Sequence, residues 1–423
     1  MKTRDLSAAD REHLWHPYTK FSSLDAGPVP MIVHGEGIHL LDSAGRRYID
    51  AISSWWACSL GHGHPRIIEA ICRQAGELQH SILGNLTHPR AVELAARLAS
   101  LMPSPDRHVL FSSDGSSAVE AALKIALQYW HNLGHRRRLR FAALENAYHG
   151  DTLGAVSVGY LEGFHSAFHP VVFPVQRLSL QEDFETVEGI LDEQAEDLAA
   201  VIVEPLCQCA AGMKMYPAEY LKELAALCRD HKVLLIADEI ATGLGRTGTM
   251  FAFEQAGIDP DIVCVGKALS AGYLPISAAI VKDEIYRTFS DQGHDCTFYH
   301  GHTFAGNPIA AAAALATLEI YDEAHVVEDA ARKGLLLEEW MAPLANLPTV
   351  DEVRCLGMIG AVELKPDTGS PPRPRRVQKL LLEQGILLRP LGQVVYLMPP
   401  LITPDDTLHG LVVALRDAIE AAG

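Results

Sequence analysis

The chain has 423 residues, 48% of them hydrophobic and 21% charged, and its 35 Lys and Arg stand against 53 Asp and Glu for a formal charge of −18. That excess of acid argues against a nucleic-acid ligand, whose phosphates demand a basic footprint, although local amides and one or two basic groups suffice to hold a small anion. The length exceeds one simple core, so two domains, interleaved or in series, are expected.

At the N-terminus, MKTRDLSAADREHLW has no apolar core after its basic residues, so no secretory signal is read. IHLLDSAGRRYIDA (38–51) reads as strand, turn and strand, with Ser43, Ala44 and Gly45 in the turn. From about residue 65, amphipathic segments such as AVELAARLASLM and AEYLKELAALCRDH alternate with short apolar runs. The runs are HVLFSS (108–113), LRFAALE (139–145), AAVIVEP (199–205), VLLIADE (233–239), DIVCVGK (261–267) and ISAAIV (276–281). Strands apolar on both faces and separated by helices belong to a covered, largely parallel sheet, so the fold class is α/β. Phe304–Tyr321 is Ala-rich and interrupted by Gly306, Asn307 and Pro308, which suits a buried helix rather than a membrane span. After about residue 315 a helical pattern is followed by short strands in CLGMIGAVEL and ILLRPLGQVVYLMPP. We therefore expect a large domain over 61–314 and a smaller α/β domain built from 1–60 and 315–423. The eight cysteines form no ladder, and Cys58, Cys228 and Cys264 lie in apolar runs, which points to a reducing cytoplasm.

In sheets of this kind ligands sit beyond the C-terminal ends of the strands. Ser112-Ser113-Asp114-Gly115, Glu204, Asp238-Glu239 and Lys267 each close an apolar run and so fall at that edge. Burial disfavours the charged form of Lys267 and leaves the neutral amine that Schiff-base chemistry needs; read alone, a lysine there more often snorkels to water. Asp238 could keep a pyridinium nitrogen protonated, or could cap the next segment. The two together supply what pyridoxal phosphate requires, a covalent anchor and a counter-charge for the ring nitrogen. Ser117 with Glu120 fits a capping box, which would start a helix there; its amides and dipole suit a phosphate and Gly115 allows close approach, though a plain cap is the commoner meaning. In the loop Glu145–Thr152, Tyr148 could stack on a flat heterocycle or be an exposed turn residue.

With these residues in view, ADEIATGLGRTG (237–248), VGKALSAGY (265–273), NAYHGDT (146–152) and GHTFAGNP (301–308) resemble the fold-type I, class III aminotransferases over nearly the whole chain and in order. WHPYT (15–19), SSWW (53–56) and RPLG…VYLMPP (389–400) are similar to the branch that aminates 8-amino-7-oxononanoate in biotin biosynthesis. The resemblance implies pyridoxal 5'-phosphate carried on Lys267, which would also move the proton between substrate and cofactor. It implies Asp238 at the ring nitrogen, Tyr148 over the ring, Gly115 and Ser116 at the phosphate, and Thr303 reaching that phosphate from the partner of a homodimer. Tyr18, Trp55, Tyr148, Gly301 and Tyr396 would line the substrate pocket, Arg389 would take the substrate carboxylate, and Asp151 and Gln208 would stand near. Relatives using 2-oxoglutarate have an arginine shortly before their closing Pro-Pro; Tyr396 stands there instead, which argues against that acceptor. The aromatic pocket favours a flat or cationic donor such as S-adenosylmethionine.

His302 and Cys209 depart from the branch's usual proline and glycine, and GYLPIS (272–277) resembles wider class III members, so the donor stays open between S-adenosylmethionine and lysine. An ω-amino acid paired with 2-oxoglutarate, and a non-catalytic cofactor-binding relative, are the other readings. No metal site is read: His62 and His64 with His149 could suggest one, but the first two lie in a Gly/Pro turn with no carboxylate at ligand spacing, and Cys207 and Cys209 lack zinc-knuckle spacing.

Overall fold

The computed structural model describes residues 3–24, 29–181, 184–290 and 295–423. Near the N-terminus run β1 (Ile32–Glu36), β2 (His39–Asp42) and β3 (Arg47–Asp50), the last two joined by the expected turn with Gly45 at φ 82°. Then come β4 (Arg107–Ser112), β5 (Arg140–Leu144), β6 (Val175–Leu178), β7 (Leu198–Val203) and a short hairpin of β8 (Cys207–Gln208) and β9 (Lys214–Met215). They are followed by β10 (Leu234–Asp238), β11 (Ile262–Val265) and β12 (Ser277–Lys282). The last strands are β13 (Val350–Leu356), β14 (Ile359–Leu364), β15 (Ile386–Leu387) and β16 (Val394–Leu397).

The central sheet has the order β4-β12-β11-β10-β7-β5-β6. Its strands are parallel except β12, which runs against both neighbours. The period-two alternation of strand side chains sorts each apolar run onto two cores. Val201, Val203, Leu235, Ala237, Val263 and Val265 face one, while Ala200, Ile202, Leu234, Ile236, Ile262 and Cys264 face the other. Each fully buried Val, Ile or Leu contributes about 1.5–3 kcal/mol, and a register slip of one residue would merely exchange two apolar faces. Polar groups at the strand ends, and the loops they enter, therefore give the register its meaning. Within the central sheet the strand that no apolar run announces is β6, whose VQRL is only partly buried at the sheet edge; β1 and the hairpin of β8 and β9 were likewise not expected.

The helix behind β4 spans Gly115–Asn132, three residues earlier than the capping box suggests. Its cap is Asp114, in extended conformation, which accepts from the Ser117 amide at 3.0 Å and from the Ser117 hydroxyl at 3.0 Å. A carboxylate competes better than a hydroxyl for an orphan helical amide, and so claims the N-cap. Glu120, the other half of the expected box, instead accepts the Gly154 amide at 2.8 Å.

The helix Pro308–Glu323, capped by Asn307, is the buried Ala-rich element, with Ala311, Ala313 and Ala314 wholly inaccessible. It packs on the helices Pro65–Glu77 and Pro89–Ser100 and on the 3₁₀ turn Lys267–Ser270. The expected break at 314/315 lies inside this continuous helix. The two chain ends meet beyond it: β15 runs parallel to β3, with Ile386 opposite Ile49, and the Met398 amide donates to the Ala51 carbonyl at 2.8 Å. Among the described residues no helix is long and apolar enough to cross a membrane.

Candidate active site

A cavity of about 470 Å³ opens over the C-terminal ends of β10 and β11. Lys267 and Asp238, expected as a pair, both line it. Gly266 lets the chain leave β11, and Lys267 itself takes φ 40° at the head of its 3₁₀ turn, so the side chain enters the cavity rather than continuing the strand. Its amine lies 5.1 Å from the Trp56 ring centroid. Burial lowers its affinity for a proton, against the opposing pull of Asp238, Cys209 and Glu204. Asp238, 4% exposed, is fixed on both oxygens: Oδ2 lies 2.7 Å from His149 Nδ1, and Oδ1 accepts the Ile240 amide at 3.1 Å.

Gly115 and Ser116 form the cavity wall at the start of the helix, where the first amides have no partner within it. A Cβ on Gly115 would meet Ile240 Cγ2 at 2.9 Å, so the backbone's close approach depends on glycine. Gly150, at φ 119°, presses on Ser116, whose Oγ accepts the Asp151 amide at 3.0 Å.

Tyr148 also lines the cavity, and its backbone amide donates to Glu204 Oε1 at 2.9 Å. Burial, then the neighbouring Tyr18 and Asp151, hold its phenol far above the ordinary range, so it is a neutral donor at any working pH. Tyr18 lies across the mouth, its hydroxyl 2.5 Å from Asp151 Oδ1 and 3.3 Å from the Tyr148 hydroxyl. Burial and Asp151 push the Tyr18 phenol up to about 12.

Trp55 belongs to a left-handed turn in which Ser53, Ser54, Trp55 and Trp56 all have positive φ. Such a run is strained for residues with a Cβ. It is held by the Ser54 hydroxyl on Asp50 Oδ2 at 2.7 Å, the Ser53 hydroxyl on the Met398 carbonyl at 2.8 Å, and Trp56 Nε1 on the Tyr396 hydroxyl at 3.2 Å. Arg389 stands over the Trp55 ring at 4.5 Å and donates to the Tyr18 carbonyl at 2.9 Å. It makes no ion pair with a carboxylate among the described residues. Burial lowers its pKa from the usual guanidinium value.

Four expected residues lie outside the cavity wall. Tyr396 is 1% exposed and sits behind Trp56, a support for the pocket and not its lining. Gln208 is buried and donates to the Glu145 carbonyl at 2.7 Å, bracing the Tyr148 loop from below. Gly301 and Thr303 are exposed on this chain's surface. The sequence reading weighed His149 only as a metal ligand and gave no role to Trp56 or Phe164, which also line the cavity. NAYHGDT carried a signal for His149, since a histidine beside the expected ring-covering tyrosine enters the same strand-end cleft.

Residues 23–419 match the family described as aminotransferase class-III. A relative from Synechococcus elongatus, named adenosylmethionine-8-amino-7-oxononanoate aminotransferase, is 43% identical over 427 residues, covering 96% of this chain and 98% of the relative. The crystal structure of a protein of that name from Methanocaldococcus jannaschii is similar with a TM-score of 0.94 at 37% identity, over 99% of each chain. An omega transaminase from Pseudomonas jessenii, solved in complex with PMP, is similar with a TM-score of 0.92 at 30% identity, over 99% of this chain and 98% of the other. The chain belongs to the class III aminotransferases. They are pyridoxal-phosphate enzymes, and the cavity floor fits that group: a buried amine, a carboxylate held ready by two neighbours, and a helix start that a Cβ would obstruct.

Proposed function

We propose that this protein aminates 8-amino-7-oxononanoate to 7,8-diaminononanoate, a step of biotin biosynthesis, with S-adenosylmethionine as the amino donor. The observation that carries the reading is Arg389, a half-buried guanidinium at the cavity wall with no carboxylate partner among the described residues, set over the Trp55 ring and facing the same space as Lys267. A planar fork of donors suits the terminal carboxylate of a long, otherwise apolar substrate. The curated relatives that bear this activity in their names support it.

Pyridoxal phosphate, when bound, supplies a protonated ring that accepts electrons as a proton leaves the substrate carbon. Lys267 would hold the cofactor and carry that proton, for which an amine of lowered basicity is suited. Asp238, oriented by His149, would keep a proton at the ring nitrogen. Gly115 and Ser116 would receive the phosphate. Tyr148 would cover the ring, and Tyr18, Trp55 and Asp151 form an aromatic and acidic rim matched to a cationic donor.

We further propose a cytoplasmic homodimer in which exposed Gly301 and Thr303 reach the partner's cavity; the neighbouring exposed Tyr299 and Phe304, and buried thiols such as Cys58, Cys228 and Cys264, support this. The small domain would comprise 1–60 and the chain beyond the helix Pro308–Glu323, with the large domain between. The test is a half-reaction: cofactor-loaded protein is mixed separately with S-adenosylmethionine, lysine and glutamate while its visible absorbance is followed, and 8-amino-7-oxononanoate is then added. Bleaching by S-adenosylmethionine and recovery with the oxononanoate are expected. Bleaching by glutamate alone, with recovery only by 2-oxoglutarate, would replace the reading with an ω-amino-acid enzyme.

A further inference from the structure

Glu204 leaves β7 beside the cavity and is 4% exposed. Its two carboxyl oxygens serve different loops: Oε1 accepts the Tyr148 amide at 2.9 Å, and Oε2 accepts the Cys209 amide at 3.0 Å. Tyr148 follows β5, whereas Cys209 follows β8 and leads into Ala210 on the cavity wall. The Glu204 backbone carbonyl accepts the Tyr216 hydroxyl at 2.8 Å, which anchors the residue from behind. No Lys or Arg forms an ion pair with it among the described residues, and burial pushes its carboxyl well above the usual range. An unpaired buried acid is expensive, and an apolar residue would fill the same space at less cost. The compensation lies in the two amides, which no other side chain could satisfy together from this position.

We propose that Glu204 is a positioning residue for amino transfer: one carboxyl group ties the loop that carries the Tyr148 ring to the segment Cys209–Ala210 on the cavity wall, and so fixes where that ring stands over the cofactor site. The role rests on the proposed reading of the cavity, but the tether itself can be tested without turnover. Glutamine keeps the volume and offers one carbonyl acceptor, but turns an amide NH₂ toward the second donor. In cofactor-loaded E204Q, hydrogen–deuterium exchange of the segments 145–152 and 206–212 should quicken in at least one of the two, with the central strands unchanged. The visible band of the bound cofactor should shift. The kcat should fall about 10- to 100-fold, the scale of leaving one buried hydrogen-bond donor unsatisfied, with KM for the oxononanoate within about threefold because Arg389 is untouched. Wild-type exchange in both segments, or faster exchange with kcat unchanged, overturns the proposal. E204A, which removes both acceptors, should quicken both segments if it folds. Should the wild-type protein not aminate the oxononanoate at all, the substrate reading fails while the exchange data still decide the tether.

Discussion

The floor of the cavity and its rim are built by different physical means. The floor hangs from strand ends: Lys267, Asp238 and Glu204 leave β11, β10 and β7, all three are buried, and the two acids are fixed by hydrogen bonds to the loops beside them. The rim comes from chain segments far apart in sequence, Tyr18, Trp55 and Arg389, which meet through an edge-to-face ring pair, a cation–π contact and one hydrogen bond to a backbone carbonyl. A floor whose acids and amine are aligned by a parallel sheet suits chemistry common to a whole class of reactions. A half-exposed rim of packed rings can change its substrate with little disturbance beneath it.

The largest test of this division is Lys267→Ala, which should lower turnover by more than about 10³-fold; steady activity in that variant would remove the floor's central assignment. Next comes the acid behind the floor. Burial raises the Glu239 carboxyl from 4.5 to about 7, so the folded state holds its proton more tightly than the unfolded chain. Its contribution to stability is therefore full below the unfolded pKa and declines as pH rises through the folded one, by up to about 3 kcal/mol. Urea unfolding at about pH 5 and about pH 8 should show that decline in the wild type and a shallower one in E239Q; equal slopes would mean that the floor is not strained by its buried acid. On the rim, Arg389→Ala should raise the KM for the oxononanoate about 10- to 100-fold with kcat little altered, and an unaltered KM would take the carboxylate from Arg389. The smallest effect belongs to Trp55→Ala, which removes the face beneath the guanidinium and should weaken acceptor binding about threefold to tenfold. If it instead abolished turnover as Lys267→Ala does, the separation of rim from floor would be lost.

The floor was also the more legible of the two. Apolar runs ending in a lysine or an acid mark a strand and its chemical end at once, because both faces of the sheet are covered. β6 escaped because an edge strand need not be apolar, and the helix start was misplaced because Asp114 accepts both the amide and the hydroxyl of Ser117 and so draws the expected cap into the first turn. The rim was legible only through family resemblance. No local pattern announces that Trp55 lies in a left-handed turn, or that Tyr396 stands behind Trp56 instead of beside the substrate. Those facts depend on β16 and the N-terminal segment meeting across the whole length of the chain.

The Ala-rich helix Pro308–Glu323 rests directly against the turn that begins with Lys267. Methyl groups are the shortest side chains that still exclude water, so the depth to which the reactive nitrogen protrudes is gauged from the rear by a row of them. Added bulk on the side of this helix that meets the turn would crowd fully packed neighbours and press on the segment that carries the amine, so catalytic alignment here is sensitive to bulk at positions with no chemical function of their own.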